Sequence, residues 1–265
     1  MRLLVTNDDG ILAPGISALA VALVDAGHDV VVAAPADDRS GASAAIGGMR
    51  ADESIELVRV ELEGLEGVEC YSVAASPALI VIAACLGGVG ATPDAVVSGI
   101  NAGANTGRAV LHSGTVGAAL TAANFGRSGL AVSLAEGGDY RWSTAAGLAV
   151  TTLGWLAGQP PCTVMNLNAP NVELEDVRGV RGGFLAPFGT VRAAIVDGTS
   201  GLQMELVGDA DGDGTPGERE DAPEGSDTAL VLAGYASLTS LTGVGSLECP
   251  EAATAVERRL PIRSA

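Results

Sequence analysis

The chain contains no lysine: all 14 basic residues are arginine, set against 32 acids, for a formal net charge of −18 over 265 residues. A surface of that sign repels phosphate backbones and anionic lipid, which argues against binding to duplex nucleic acid or to an acidic membrane. It also creates self-repulsion that dissolved salt screens, so an acidic, lysine-free surface suits a protein working in concentrated salt. Aromatic residues are scarce at 3 %, within a hydrophobic content of 48 %, so the core must come from Ala, Val, Leu and Ile. Cysteine is sparse too. Cys70, Cys85, Cys162 and Cys249 are too scattered for any zinc-ligand spacing and read as free thiols of a reducing compartment. Asp8 and Asp9 interrupt the apolar start, so no signal peptide is expected, and the expected location is the cytoplasm. Residues 70–93 carry no charge, but Pro77, Gly87, Gly88 and Gly90 cut that run well short of the ~20 residues a bilayer demands.

What is present starts at once. Arg2 to Thr6 is a short apolar strand that runs straight into Asn7-Asp8-Asp9-Gly10. Such residues form turns, but two adjacent carboxylates at the end of a buried strand are costly unless a positive charge sits between them. Pro14 to Ala26 has helical spacing with Gly27 as its stop, and Asp29 to Ala34 is a second buried strand. That order is a parallel βαβ unit. Strands are expected near Ile55 to Val60, Val68 to Val73, Ala95 to Ser98, Gly129 to Leu134 and Cys162 to Asn166, with helices from Ser76, Gly114 and Thr144.

The expected fold is therefore a Rossmann-like three-layer α/β/α domain with a mainly parallel sheet over residues 1–172. A β-hairpin-rich appendage follows over residues 173–265, with strands expected at Gly189 to Val196, Leu202 to Val207 and Ala229 to Thr239, and a short helix from Pro250 to Leu260.

Ligands of open α/β sheets gather outside the carboxyl ends of the strands. Four polar stretches fall there: Asp8-Asp9, the loop Arg39-Ser40-Gly41-Ala42-Ser43, the loop Ser98 to Gly107, and His112-Ser113-Gly114-Thr115 at a helix start. Asp8, Asp9, the Ser40 hydroxyl and the Asn101 amide are all oxygen donors, the set a hard divalent cation prefers. Ser113, Gly114 and Thr115 lie where a helix offers free N–H groups and a positive dipole end to phosphate, although such a run also serves as an ordinary cap. His112 reads first as a loop histidine, with acid catalysis as the alternative.

The stretches NDDGI (Asn7 to Ile11), RSGAS (Arg39 to Ser43), SGINAGANTG (Ser98 to Gly107), HSGTVGAA (His112 to Ala119) and NLNAP (Asn166 to Pro170) resemble, in order and spacing, the motifs of the SurE family. That is the survival-protein-E group of metal-dependent nucleotide phosphatases. The resemblance implies a phosphomonoesterase acting on nucleoside 5′- or 3′-monophosphates, with Asp8 and Asp9 catalytic. It implies one Mg²⁺ or Mn²⁺ on Asp8, Asp9, Ser40 and Asn101, and phosphate contacts from Asn105, Ser113, Gly114 and Thr115. It also implies a homodimer or homotetramer that exchanges C-terminal segments, which would make the appendage an oligomerisation element. Ser76-Pro77-Ala78-Leu79 departs from the family's Thr-Pro-Ala-Asp by losing an acid, and Gly234 to Thr239 is the clearest echo in the C-terminal third.

Two enzyme rivals fail on the first turn. A dinucleotide-binding oxidoreductase needs Gly-x-Gly-x-x-Gly there, and a haloacid-dehalogenase-like phosphatase needs Asp-x-Asp. A non-catalytic nucleotide- or metal-binding protein of the same fold is the remaining alternative. The stretch from Asp209 to Glu220 is separate: Asp209, Asp211, Asp213, Gly214 and Glu220 satisfy the spacing of a calcium loop. Pro216 and strand-like flanks favour a solvated acidic loop, with a structural Ca²⁺ site as the other reading.

Overall fold

The computed structural model describes residues 1–47, 54–187, 192–198, 201–207, 222–245, 251, 255 and 256. Its strands are β1 (Arg2–Thr6), β2 (Asp29–Pro35), β3 (Leu57–Arg59), β4 (Glu69–Val73), β5 (Ala95–Ala102), β6 (Ser128–Leu134), β7 (Val164–Ala169), β8 (Val180–Gly182), β9 (Arg192–Gly198), β10 (Gly201–Val207) and β11 (Ala236–Leu241). The helices are α1 (Pro14–Asp25), α2 (Pro77–Cys85), α3 (Gly114–Asn124), α4 (Trp142–Leu156) and α5 (Asp227–Leu232), with a 3-10 turn at Gly107–His112. Nine strands make one sheet in the order β3-β4-β2-β1-β5-β6-β7-β11-β8, and β9 and β10 pair as a separate antiparallel hairpin. The six strands from β4 to β7 in that order run parallel, while β3 and β11 pair antiparallel to β4 and β7. The expected three-layer, mainly parallel α/β fold is what forms.

The strands read as unbroken apolar runs because both faces are covered. Leu3 and Val5 of β1, Val30 and Val32 of β2 and Val97 of β5 pack on one face with Ile16, Leu19 and Leu23 of α1 and Ala149 and Leu153 of α4. Their alternating neighbours Leu4, Val31 and Val96 pack on the other with Ile80, Val81 and Ala84 of α2 and Ala118 and Ala122 of α3. With so few aromatics the layers approach closely, and Gly15 shows how closely. A Cβ built there would lie 2.1 Å from the Ile100 carbonyl oxygen of β5. Gly15→Ala is expected to lower stability by about 1–3 kcal/mol, the usual cost of overpacking, despite alanine's better helix propensity. Urea denaturation measures it, and an unchanged midpoint would contradict the packing.

Two expectations change. Ala229 to Thr239 is not one strand but α5 followed by β11. The Ser226 hydroxyl caps α5 by accepting from the Ala229 amide at 3.3 Å, and Gly234 at φ +82° turns the chain from helix to strand. The strand expected to end at Asn166 runs on as β7 to Ala169, because β6 pairs with it through Ala169 and β11 through Asn168. Both β8 and β11, from beyond residue 172, extend the main sheet. The expected terminal helix lies almost wholly outside the described residues. No described helix is long and apolar enough to cross a membrane. Among the described cysteines, Cys70, Cys85 and Cys162 are free.

Candidate active site

The sheet order reverses at β1, which has β2 on one side and β5 on the other, and that crevice is where an open α/β sheet binds ligand. Asp8 leaves β1 directly into it and is buried, only 3 % exposed. Its carboxylate is gripped by the start of α3: the Gly114 amide donates to Oδ2 at 3.0 Å, and the Thr115 hydroxyl donates to Oδ1. A Cβ on Gly114 would stand 2.7 Å from Asp8 Cβ and Oδ2, so only glycine allows this approach. Burial raises the Asp8 carboxyl above the ordinary range, while the donors from Thr115 and Gly114 pull it back. Asn7 supports the turn by donating from Nδ2 to the Gly10 carbonyl at 2.9 Å.

Asp9 sits beside it, less deeply buried. Its carboxyl is pushed up to about 7, first by burial, then by the charges of Asp8 and Asp38, against one backbone donor from Ala102. Asp38 is a third acid of this cluster that the sequence reading passed over. It accepts from the Ser40 hydroxyl at 2.6 Å and from the Ser40 amide at 2.7 Å, which hold its carboxyl below the usual range. Ser40 is thus brought to the acidic cluster, but its hydroxyl faces Asp38. The loop is seated by the Arg39 amide donating to the Asp8 carbonyl at 2.7 Å and the Ser43 hydroxyl donating to the Leu111 carbonyl at 2.6 Å.

Asn101 ends β5 beside this cluster. Its Oδ1 lies 3.4 Å from the Thr115 hydroxyl, and its Nδ2 donates to the Gly103 carbonyl at 2.7 Å. Ser113 caps α3, its hydroxyl accepting from the Val116 amide at 3.1 Å. The donors at this helix start are therefore directed at Asp8 and at the cap. Asn105 is held farther along the same edge. Its amide donates to Asn168 Oδ1 at 2.7 Å, its carbonyl accepts from Asn166 and Asn168 at 2.9 and 3.0 Å, and its Nδ2 donates to the Ser133 hydroxyl at 2.9 Å. The NLNAP stretch is thus a staple for Asn105. His112 is exposed at the end of the 3-10 turn. Asp209, Asp211, Asp213 and Glu220 lie outside the described residues.

None of the ion pairs among the described residues involves Asp8, Asp9 or Asp38. No group of three or more His, Cys, Asp or Glu among them is disposed to hold a metal, so a cation here would need the neutral oxygens as well. The oxygen donors and the unneutralised carboxylates fit a hard divalent ion rather than zinc. The Asp9 shift gives a test. With the folded carboxyl near 7 and the unfolded one at 3.8, the native state binds the extra proton between those values. The stability due to this group is then fully present below the lower value and lost as pH rises through the upper one. A cation held by Asp9 would compete with that proton, and the rise in melting temperature on adding Mg²⁺ would then grow from about pH 5 to about pH 8 and level. A rise independent of pH would contradict it.

Comparison with known proteins follows the same lines. A family model described as survival protein SurE matches residues 3–193. A 5′-nucleotidase SurE from Aeromonas hydrophila is 36 % identical over 245 residues, covering 91 % of this chain and 92 % of that protein. One from Pseudomonas fluorescens is 39 % identical over 250 residues, with the same coverage. The crystal structure of SurE protein from Aquifex aeolicus superposes with a TM-score of 0.75 at 26 % identity, covering 98 % of this chain and 99 % of that one.

Proposed function

The chain belongs to the survival protein SurE family, and from that membership we propose that it is a divalent-metal-dependent phosphomonoesterase that hydrolyses nucleoside monophosphates at the 5′ or 3′ position. One observation carries the reading to this site: two buried or half-buried carboxylates, Asp8 and Asp9, stand at the sheet's switch point with no ion-paired cation among the described residues.

Asp8, Asp9, Ser40 and Asn101 would hold one Mg²⁺ or Mn²⁺. When bound, the ion supplies Lewis-acid polarisation of the phosphoryl oxygens. The protein's own residues account for the rest. Gly114 and Thr115 aim the Asp8 carboxylate and keep it from swinging. Asp9, its carboxyl raised to about 7 by burial and by the charges of Asp8 and Asp38, would be held as the anion by the ion it binds. The first turn of α3, at Ser113, Gly114 and Thr115, favours negative charge through its dipole, though Asp8 competes for its N–H groups. Asn105 would orient the phosphate, its side chain aimed by the bond to Ser133. His112, exposed at the end of the 3-10 turn, keeps its first reading as a loop histidine.

A cavity of about 320 Å³ beside the Ser40 loop is lined by Arg39, Ala42, Ile46, Ile55, Ser76 and Leu79. We assign it to the nucleoside. Its described wall mixes aliphatic side chains with Arg39 and Ser76 and offers no aromatic ring to stack a base, so base preference is expected to be loose. The working unit would be a cytoplasmic homodimer or homotetramer. Phosphate release from AMP in both isomeric forms, with Mg²⁺ or Mn²⁺ and against a chelated control, tests the assignment. Metal-dependent release from either isomer supports it; none from either would leave a non-catalytic nucleotide binder.

A further inference from the structure

Among the described residues, Asp227 is the one fully buried carboxylate that the proposed chemistry does not use. It opens α5, and its two oxygens accept three backbone amides. Gly107 donates to Oδ2 at 2.8 Å, while Ala186 and Thr228 donate to Oδ1 at 2.9 Å each. No ion pair among the described residues neutralises it. A buried carboxylate kept without a cation is costly, and its three amide bonds are what offset that cost. Two of the three reach distant segments, at 120 and 41 residues' separation. Further bonds stitch the same junction: the Arg108 amide donates to the Ala186 carbonyl at 3.1 Å, and the Asp227 amide to the Phe184 carbonyl at 2.9 Å.

Gly107 is two residues from Asn105. The strap between them is thus pinned at both ends, by Asn166, Asn168 and Ser133 at Asn105 and by Asp227 at Gly107. Gly107 itself adopts φ +59°, a left-handed conformation that glycine takes without steric cost. We infer that Asp227 is a positioning residue for the phosphomonoesterase site: it fixes the Asn105–Gly107 strap at the substrate edge, so the start of α5 supports the site through the strap. This rests on the reading of Asn105 as a phosphate contact.

Asp227→Asn is the informative change. An amide seated with its oxygen toward Ala186 and Thr228 turns its NH₂ on the Gly107 amide, donor against donor, and frees the strap selectively. In the full-length variant, amide exchange at residues 105–107 is expected to quicken, and KM for AMP and the inhibition constant for inorganic phosphate to rise on the order of tenfold. Affinity for Mn²⁺ should stay within about twofold of wild type, since Asp8 and Asp9 are untouched. A lowered melting temperature alone, with KM and phosphate inhibition unchanged per folded molecule, would overturn the inference. So would unchanged exchange at 105–107. If the wild type turns over neither AMP isomer, the enzymatic reading has failed. Calorimetric binding of inorganic phosphate to wild type and variant then decides, weaker binding supporting the strap and equal binding refuting it. If Asp227→Asn does not fold, Asp227→Ser, which keeps one acceptor without the opposed donor, carries the same comparison.

Discussion

Asp8→Asn is expected to reduce metal-dependent phosphate release on the order of a thousandfold or more, beyond the ten- to hundredfold that losing an outer-shell partner of a metal site costs. The substitution removes one of the two charges proposed to hold the ion while changing little in volume. The asparagine oxygen can take the Gly114 amide, and its NH₂ can face the Thr115 hydroxyl, which is free to turn and accept. Folding should therefore survive, with stability within about 1–2 kcal/mol of wild type. Removing a buried charge that repels Asp9 also works in the variant's favour. Circular dichroism and a phosphate-release assay on the same sample separate the two effects. Near-normal turnover in a folded variant would refute the role of Asp8.

Gly114→Ala is expected to lower turnover on the order of a hundredfold, through displacement of Asp8 rather than loss of any functional group. In an ordinary helix position the change would stabilise by about 0.8–1 kcal/mol. Here the new methyl meets Asp8 Cβ and Oδ2 at 2.7 Å and Cγ at 3.0 Å, all on a side chain fixed by α3 itself. The helix and the carboxylate cannot both stay in place. Gly154 in α4 is the internal control: a Cβ there meets nothing within 4 Å, so Gly154→Ala should stabilise and leave activity alone. Equal behaviour of the two variants would mean that the contact between α3 and Asp8 is immaterial to catalysis.

Much of this arrangement was legible in the sequence. The uninterrupted Leu, Val and Ala of β1, β2 and β5 implied strands covered on both faces, and the turn residues that end them implied a polar edge. Asp8, Asp9, Asn101 and the α3 start are brought together at that edge. What periodicity does not carry is the direction of each side chain. Whether the first-turn donors of α3 face solvent or Asp8 depends on how closely two elements 106 residues apart in sequence approach, which Gly114 alone permits. Asp38 was passed over because an acid in a polar loop has no pattern to mark it. Asp227 was missed because the short helix it opens lies against β11 in one apolar stretch. The cap signal at Ser226 would have separated them.

The most direct test is calorimetric titration of Mn²⁺ into the chelator-treated protein near pH 8, in enough salt to suppress diffuse cation binding to a surface carrying a net charge of −18. Wild type should show a single saturable site per chain that Mg²⁺ competes for. Asp8→Asn and Asp9→Asn should each weaken it by more than about tenfold. Superimposable isotherms for wild type and both variants would mean that the two aspartates end a strand and do nothing more.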